Sequence, residues 1–194
     1  MLTPENPAYD WFGLNQQLFL LINGVRGTFV DASMAPFSVL GHPRLYPFYL
    51  ALAVWFAWRH PGRLPMRNVI VFAIGYVLVS ALIVPILKSA LDFPRPLLAL
   101  GTRVAVIGAQ DAVHAFPSGH AAFAVLTACA LSPGAARPLR ITLIAFALLV
   151  CISRVSVGAH FPADVAGGAF VAALVTALVR SAIRPRAIIM GEQG

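Results

Sequence analysis

Five apolar runs of helix length, Leu45–Trp58, Val69–Leu87, Gly119–Leu131, Leu139–Ile152 and Val165–Val179, set the first limit on what this chain can fold into. Each is too uniformly apolar to be the surface helix of a soluble domain, which needs a polar face. With 59% hydrophobic and 11% charged residues over 194 positions, the chain reads as an integral membrane protein. The predicted fold is all-α: a polytopic bundle of about five or six membrane-spanning helices in one membrane domain. Within residues 1–194, positions 1–44 are expected to form interfacial or spanning helices, 45–184 the helical core and 185–194 a cytoplasmic tail.

The first ten residues, MLTPENPAYD, carry acids and prolines where a cleavable signal would carry a basic segment, so none is expected. Asn15–Asn23 (NQQLFLLIN) is apolar on one side and amide-rich on the other, the pattern of a helix lying in the interface. Thr28–Leu40 either joins it as a kinked span or caps the outer surface. Tyr46, Tyr49, Trp55 and Trp58 bracket the first clear span as interfacial aromatics. Cys129 and Cys151 lie inside apolar runs without metal-ligand or CxxC spacing and read as small buried hydrophobes.

A net charge of +7 would point to nucleic acid in a soluble protein. Here the basic residues sit in short connections between apolar runs, so they report orientation, and no nucleic-acid partner is expected. Eight arginines (Arg59, Arg63, Arg67, Arg137, Arg140, Arg180, Arg184 and Arg186) fall on one side, the cytoplasmic one by the positive-inside rule. Lys88, Arg95, His120, Arg154, His160 and the acids Asp92, Asp111 and Asp164 all fall on the other. His42, Arg44, Asp111 and His114 read as interfacial or loop residues.

The chemistry-bearing residues form three clusters at the ends of apolar runs. His160 and Asp164 are four apart with Pro162 between them, which suits the first turn of a helix and puts both side chains on one face. A carboxylate there can hold the proton on one imidazole nitrogen and leave the other as nucleophile or base. Arg154, at the end of the preceding run, offers a planar fork for two phosphate oxygens. Lys88 and Arg95 are two cations seven residues apart, and Pro117-Ser118-Gly119-His120 places an N-cap, an open backbone and a proton donor at a helix start suited to an anion. Taken singly, each cluster also fits a capping residue, an interfacial histidine or a snorkelling cation.

Lys88-x6-Arg95-Pro96, Pro117-Ser118-Gly119-His120 and Ser153-Arg154-x5-His160-x3-Asp164, in this order and spacing, resemble the three-part signature of the type 2 phosphatidic acid phosphatase (PAP2) superfamily, to which the vanadate haloperoxidases are related. The resemblance implies a compact helical bundle with a site free of metal and cofactor, which dephosphorylates lipid phosphates through a phosphohistidine. It implies His160 as nucleophile, Asp164 as its orienting group and His120 as general acid. Lys88, Arg95, Ser118, Gly119 and Arg154 would form the phosphate cradle. The N-terminal stretch is similar to small bacterial members acting on undecaprenyl pyrophosphate, which makes that lipid the leading expectation. Phosphatidylglycerophosphate, lipid A and phosphatidate remain alternatives, as does transfer of the phosphoryl group to another lipid. The expected setting is the bacterial inner membrane with the site facing outward, a bilayer and a lipid phosphate as partners, and no obligate protein partner. A transporter would be expected to hold its charges near the midplane rather than at helix ends.

Overall fold

The computed structural model describes residues 6–108 and 114–183. Asp111, Arg184, Arg186 and the expected tail lie outside the described residues. Among the described residues ten α-helices run in the order α1 (Pro7–Asp10), α2 (Leu14–Asn23), α3 (Thr28–Leu40), α4 (Tyr46–Arg59), α5 (Met66–Tyr76), α6 (Val84–Leu91), α7 (Pro96–Leu100), α8 (Gly119–Leu131), α9 (Arg137–Ser156) and α10 (Pro162–Ala182). No strand occurs among the described residues. The protein is an all-α, polytopic membrane bundle. Among the described residues three stretches, beginning at Met66, Arg137 and Pro162, are long and apolar enough to cross a membrane, and α2 with α3, bent by 115°, makes a fourth if the pair is one span.

The centre of the bundle is α8. Its 13 residues, GHAAFAVLTACAL, reach only about 20 Å at the α-helical rise, short of a bilayer's hydrocarbon core. Nine of them are buried, so the helix is lined by protein on all sides, and its small residues let neighbours approach closely. Gly168 of α10 shows how closely: a methyl group there would strike the Ser118 carbonyl at the start of α8. Because α8, α9 and α10 alternate in direction, α8 and α10 are parallel, with both N-termini at one end of the bundle and both C-termini at the other.

Between α5 and α6 the helix widens into a π-helical run, Val77–Ile83. Pro85 supplies a reason, since its ring collides with the carbonyl four residues back and it brings no N–H to the ladder. Helix α6 then continues past Leu87 to Leu91, so Lys88 lies in its last turn. The expected long polar connection between Lys88 and Pro117 therefore begins helically, and it contains α7 and a 3₁₀ turn, Gly101–Arg103.

Two sequence expectations are refined. Two of the four amides of α2 face protein: Asn15 and Asn23 are buried together with Phe19, while Gln17, Leu14 and Leu21 are exposed. In a bilayer the polar face of a helix finds its partners in the protein interior, and Asn23 Nδ2 donates to the carbonyls of Ala105 (2.8 Å) and Ser156 (2.9 Å). Tyr46 and Tyr49 also turn inward, Tyr46 stacking on Tyr76 at 3.6 Å between ring centroids and Tyr49 packing edge-on to Phe123. Trp55 and Trp58 are exposed as expected.

Candidate active site

The N-terminus of α10 sets the position of the His160–Asp164 pair. Pro162 opens the helix, and Asp164 in its first turn accepts the Phe161 N–H on Oδ2 at 2.9 Å, satisfying a backbone donor that the helix cannot. The same oxygen lies 3.3 Å from His160 Nδ1, and Oδ1 accepts the Tyr9 hydroxyl at 2.6 Å. Asp164 is fully buried and His160 is 2% exposed. One oxygen of Asp164 thus both caps α10 and faces the His160 ring.

Backbone bonds lock the neighbouring motifs to this pair. His160 and Ala159 both donate N–H groups to the Arg154 carbonyl at 3.1 Å, so the end of α9 holds the loop, while Ser118 N–H donates to the Asp164 carbonyl at 2.9 Å. Ser118 caps α8, its Oγ 3.5 Å from Ala121 N, and it is buried away from the two cavities described below. Its place is thus beneath the cradle rather than on its surface. Gly119 does line the cavity, where a backbone without Cβ leaves the start of α8 open.

One cavity of about 630 Å³ is lined by Lys88, Arg95, Gly119, His120 and His160. An adjoining one of about 530 Å³ is lined by Ser38, Arg44, Arg95, His120 and Arg154, and His42 faces both. Arg95 is held near the Ala159 carbonyl (Nη1 at 3.5 Å), Lys88 Nζ donates to the His114 carbonyl, and Arg154 Nη1 donates to Ser38 Oγ on α3. The free enzyme thus gathers three cations and two parallel helix N-termini at one point, an arrangement that favours a multiply charged anion.

This environment keeps His160 neutral. Burial is the first cause and the nearby Arg154, Arg95 and Lys88 charges add to it, so its pKa lies well below the ordinary histidine value. With Nδ1 facing Asp164, Nε2 is the nitrogen left for the cavity. Among the described residues no group of three or more His, Cys, Asp or Glu is gathered as metal ligands would be.

All eight residues singled out by the motifs meet at this end of the bundle. His42 and Arg44, read as interfacial, belong to the site as well: the His42 ring lies edge-on to His120 at 4.8 Å, and burial followed by the charges of Arg44 and Arg154 lowers its pKa. Ser38 and Tyr9 were not visible in the motifs. The signal for Tyr9 is indirect, a Phe-Pro pair in each of the three motif segments: Phe93-Pro94, Phe116-Pro117 and Phe161-Pro162.

Fold, site and relatives together define a membrane lipid phosphatase. The family model of the PAP2 superfamily matches residues 69–187, and the chain belongs to that superfamily. It is similar to the solved structure of LpxE from Aquifex aeolicus, with 27% identity and a TM-score of 0.77 over 87% of this chain and 95% of that one. It also resembles in fold the first transmembrane PAP2-type phosphatidylglycerolphosphate phosphatase from Bacillus subtilis, with 21% identity and a TM-score of 0.68 over 94% and 91% of the two chains. No curated protein sequence matches significantly.

Proposed function

We propose that the enzyme removes the terminal phosphate of a lipid phosphate without a metal, through a phosphohistidine on His160, at the outer face of a bacterial inner membrane. The observation that carries this reading is the His160–Asp164 pair with Nε2 directed to a cavity lined by Lys88, Arg95 and His120. In the first step Nε2 forms a bond to phosphorus as the bond to the leaving oxygen breaks, and His120 gives that oxygen its proton. Asp164 stabilises the imidazolium character that develops at Nδ1. In the second step water attacks the same phosphorus, the N–P bond breaks, His120 takes the water's proton and inorganic phosphate leaves. Lys88, Arg95 and Arg154, with the backbone at Gly119, neutralise the equatorial oxygens, the electrostatic task that metal ions perform in other phosphoryl-transfer sites.

Undecaprenyl pyrophosphate is the leading substrate, from the likeness of the N-terminal stretch to small bacterial members that act on it. The alternatives are phosphatidylglycerophosphate, after which the Bacillus subtilis enzyme is named, lipid A and phosphatidate. Purified protein in detergent, assayed for phosphate release against this panel with and without chelator, tests both parts. Activity lost on chelation and restored by a divalent ion would end the metal-free mechanism. Phosphate recovered on a second lipid instead of in solution would turn the enzyme into a phosphotransferase. The outward orientation is supported by the eight arginines that the sequence puts in the connections alternating with those of the motifs. In a Cys129→Ala, Cys151→Ala background, a cysteine at Gly108 is expected to react with an impermeant thiol reagent on spheroplasts and one at Gly62 is not; the reverse would turn the site to the cytoplasm.

A further inference from the structure

The three Phe-Pro pairs converge on a single side chain. The Tyr9 ring stacks on Phe93 at 4.0 Å between centroids and lies edge-on to Phe116 and Phe161, each at 6.2 Å. Phe93 is two residues before Arg95, Phe116 two before Ser118, and Phe161 directly after His160, so one ring touches all three motif segments. Its hydroxyl donates to Asp164 Oδ1, the oxygen that His160 does not use. Asn15, 1% exposed, fastens the arrangement: its Nδ2 donates to the Tyr9 carbonyl at 3.2 Å, and its Oδ1 accepts the Ala163 N–H of α10 at 2.9 Å. Both residues precede position 69, where the family match begins.

We propose that Tyr9 is a positioning residue of the active site, its hydroxyl fixing Asp164 for His160 and its ring holding the three motif segments in register. The proposal rests on the reading of His160 as nucleophile. A carboxylate sealed from water needs donors on both oxygens. Phe161 N–H and His160 engage Oδ2, so the Tyr9 hydroxyl on Oδ1 is what stops the carboxylate from turning and taking the imidazole with it. A hydroxyl donor also stabilises the charged carboxylate, which moderates its hold on the Nδ1 proton. Burial and the Asp164 charge raise the Tyr9 pKa, so the hydroxyl remains a donor throughout the working range. The other charged or titratable groups around the pair are Lys88 of α6, Arg95 ahead of α7, His120 of α8, Arg154 of α9 and, beside Tyr9, Asp10.

The test compares full-length wild type, Tyr9→Phe, Tyr9→Leu and His160→Ala on one lipid phosphate. Tyr9→Phe keeps the ring hub, so its thermal midpoint stays near wild type, while kcat falls by about 10–100-fold with KM within about twofold. Without the hydroxyl the pair binds its proton more tightly, so the acid limb of kcat/KM moves to higher pH. That position depends on the shape of the profile and not on how much of a sample is folded. Tyr9→Leu is expected to lose thermal stability in addition. Wild-type kcat with an unmoved acid limb in Tyr9→Phe overturns the proposal, and so does a change confined to KM. An active His160→Ala overturns the nucleophile reading beneath it, whereas an inactive His160→Ala beside an unaffected Tyr9→Phe removes Tyr9 alone.

Discussion

Both ends of the bundle place arginines at helix termini, half-buried at one and buried at the other, and they use them in opposite ways. At the end away from the site, Arg180 donates to the Ala130 carbonyl (2.7 Å) and to Asn68 Oδ1 (3.0 Å), Arg67 donates to the Arg180 carbonyl (2.8 Å), and Asn68 Nδ2 donates to the carbonyls of Leu131 and Pro133. These bonds close the C-termini of α8 and α10, where the helix dipole favours cations. At the other end the same two helices present their N-termini, and Arg95 and Arg154 line the cavities found there. One pair of parallel helices thus needs positive charge for structure at one end and sets a site for negative charge at the other. The difference teaches that an arginine's role here follows from which pole of a helix it meets.

Substitutions at the two ends should separate chemistry from folding. The largest effect is expected for His160→Ala, a loss of roughly 10⁴-fold or more in phosphate release with no phosphoenzyme trapped by acid quench. Next come Arg154→Ala and His120→Ala, each lowering kcat/KM by roughly 10²–10⁴-fold. His120→Ala should still form phosphoenzyme from substrates with a good leaving group, and equal losses on good and poor leaving groups would refute its role as acid.

The pH profile sharpens the same contrast. Because burial and the three cations depress the His160 pKa, the acid limb that His160 contributes to kcat/KM of the free enzyme should fall below the ordinary imidazole value of about 6.5. The unfolded chain takes up that proton first, so the matching contribution to stability is present above about pH 6.5 and is lost as the pH falls. The smallest effect on turnover belongs to the far end. Arg180→Ala should leave kcat within about twofold while lowering unfolding stability by about 1–2 kcal/mol, since it strips a charged donor from Ala130 and Asn68. A large loss of kcat without a loss of stability would break the division between the ends.

The motif residues were legible in the sequence because their chemistry needs fixed spacing within a helix turn: His160 and Asp164 share the first turn of α10 as Pro162 predicts, and Ser118 caps α8. The apolar runs likewise located α4, α8, α9 and α10 to within a few residues, while the run Val69–Leu87 took in α5, the π-helical run and the first half of α6 as one span. The partners of Asp164 and Arg154 were not legible. Tyr9 is 155 residues from Asp164 and Ser38 is 116 from Arg154, and no local period links such pairs. The amide-rich pattern of α2 was visible, but not which amides meet protein: Asn15 and Asn23 reach the ends of α10 and α9, while Gln17 is exposed.

The π-helical run Val77–Ile83 gives the chain a way to be tuned by length. Such a run holds one more residue per stretch than an α-helix would. Removing a single residue there would let the segment close to ordinary α-helical bonding with α6 kept near its present phase, whereas removing one within α6 ahead of Lys88 would rotate everything downstream by about 100° about the axis. Lys88 would swing off the cavity, although no residue of the site had been touched. In this wall of the bundle the count of residues, more than their identity, aims the cation.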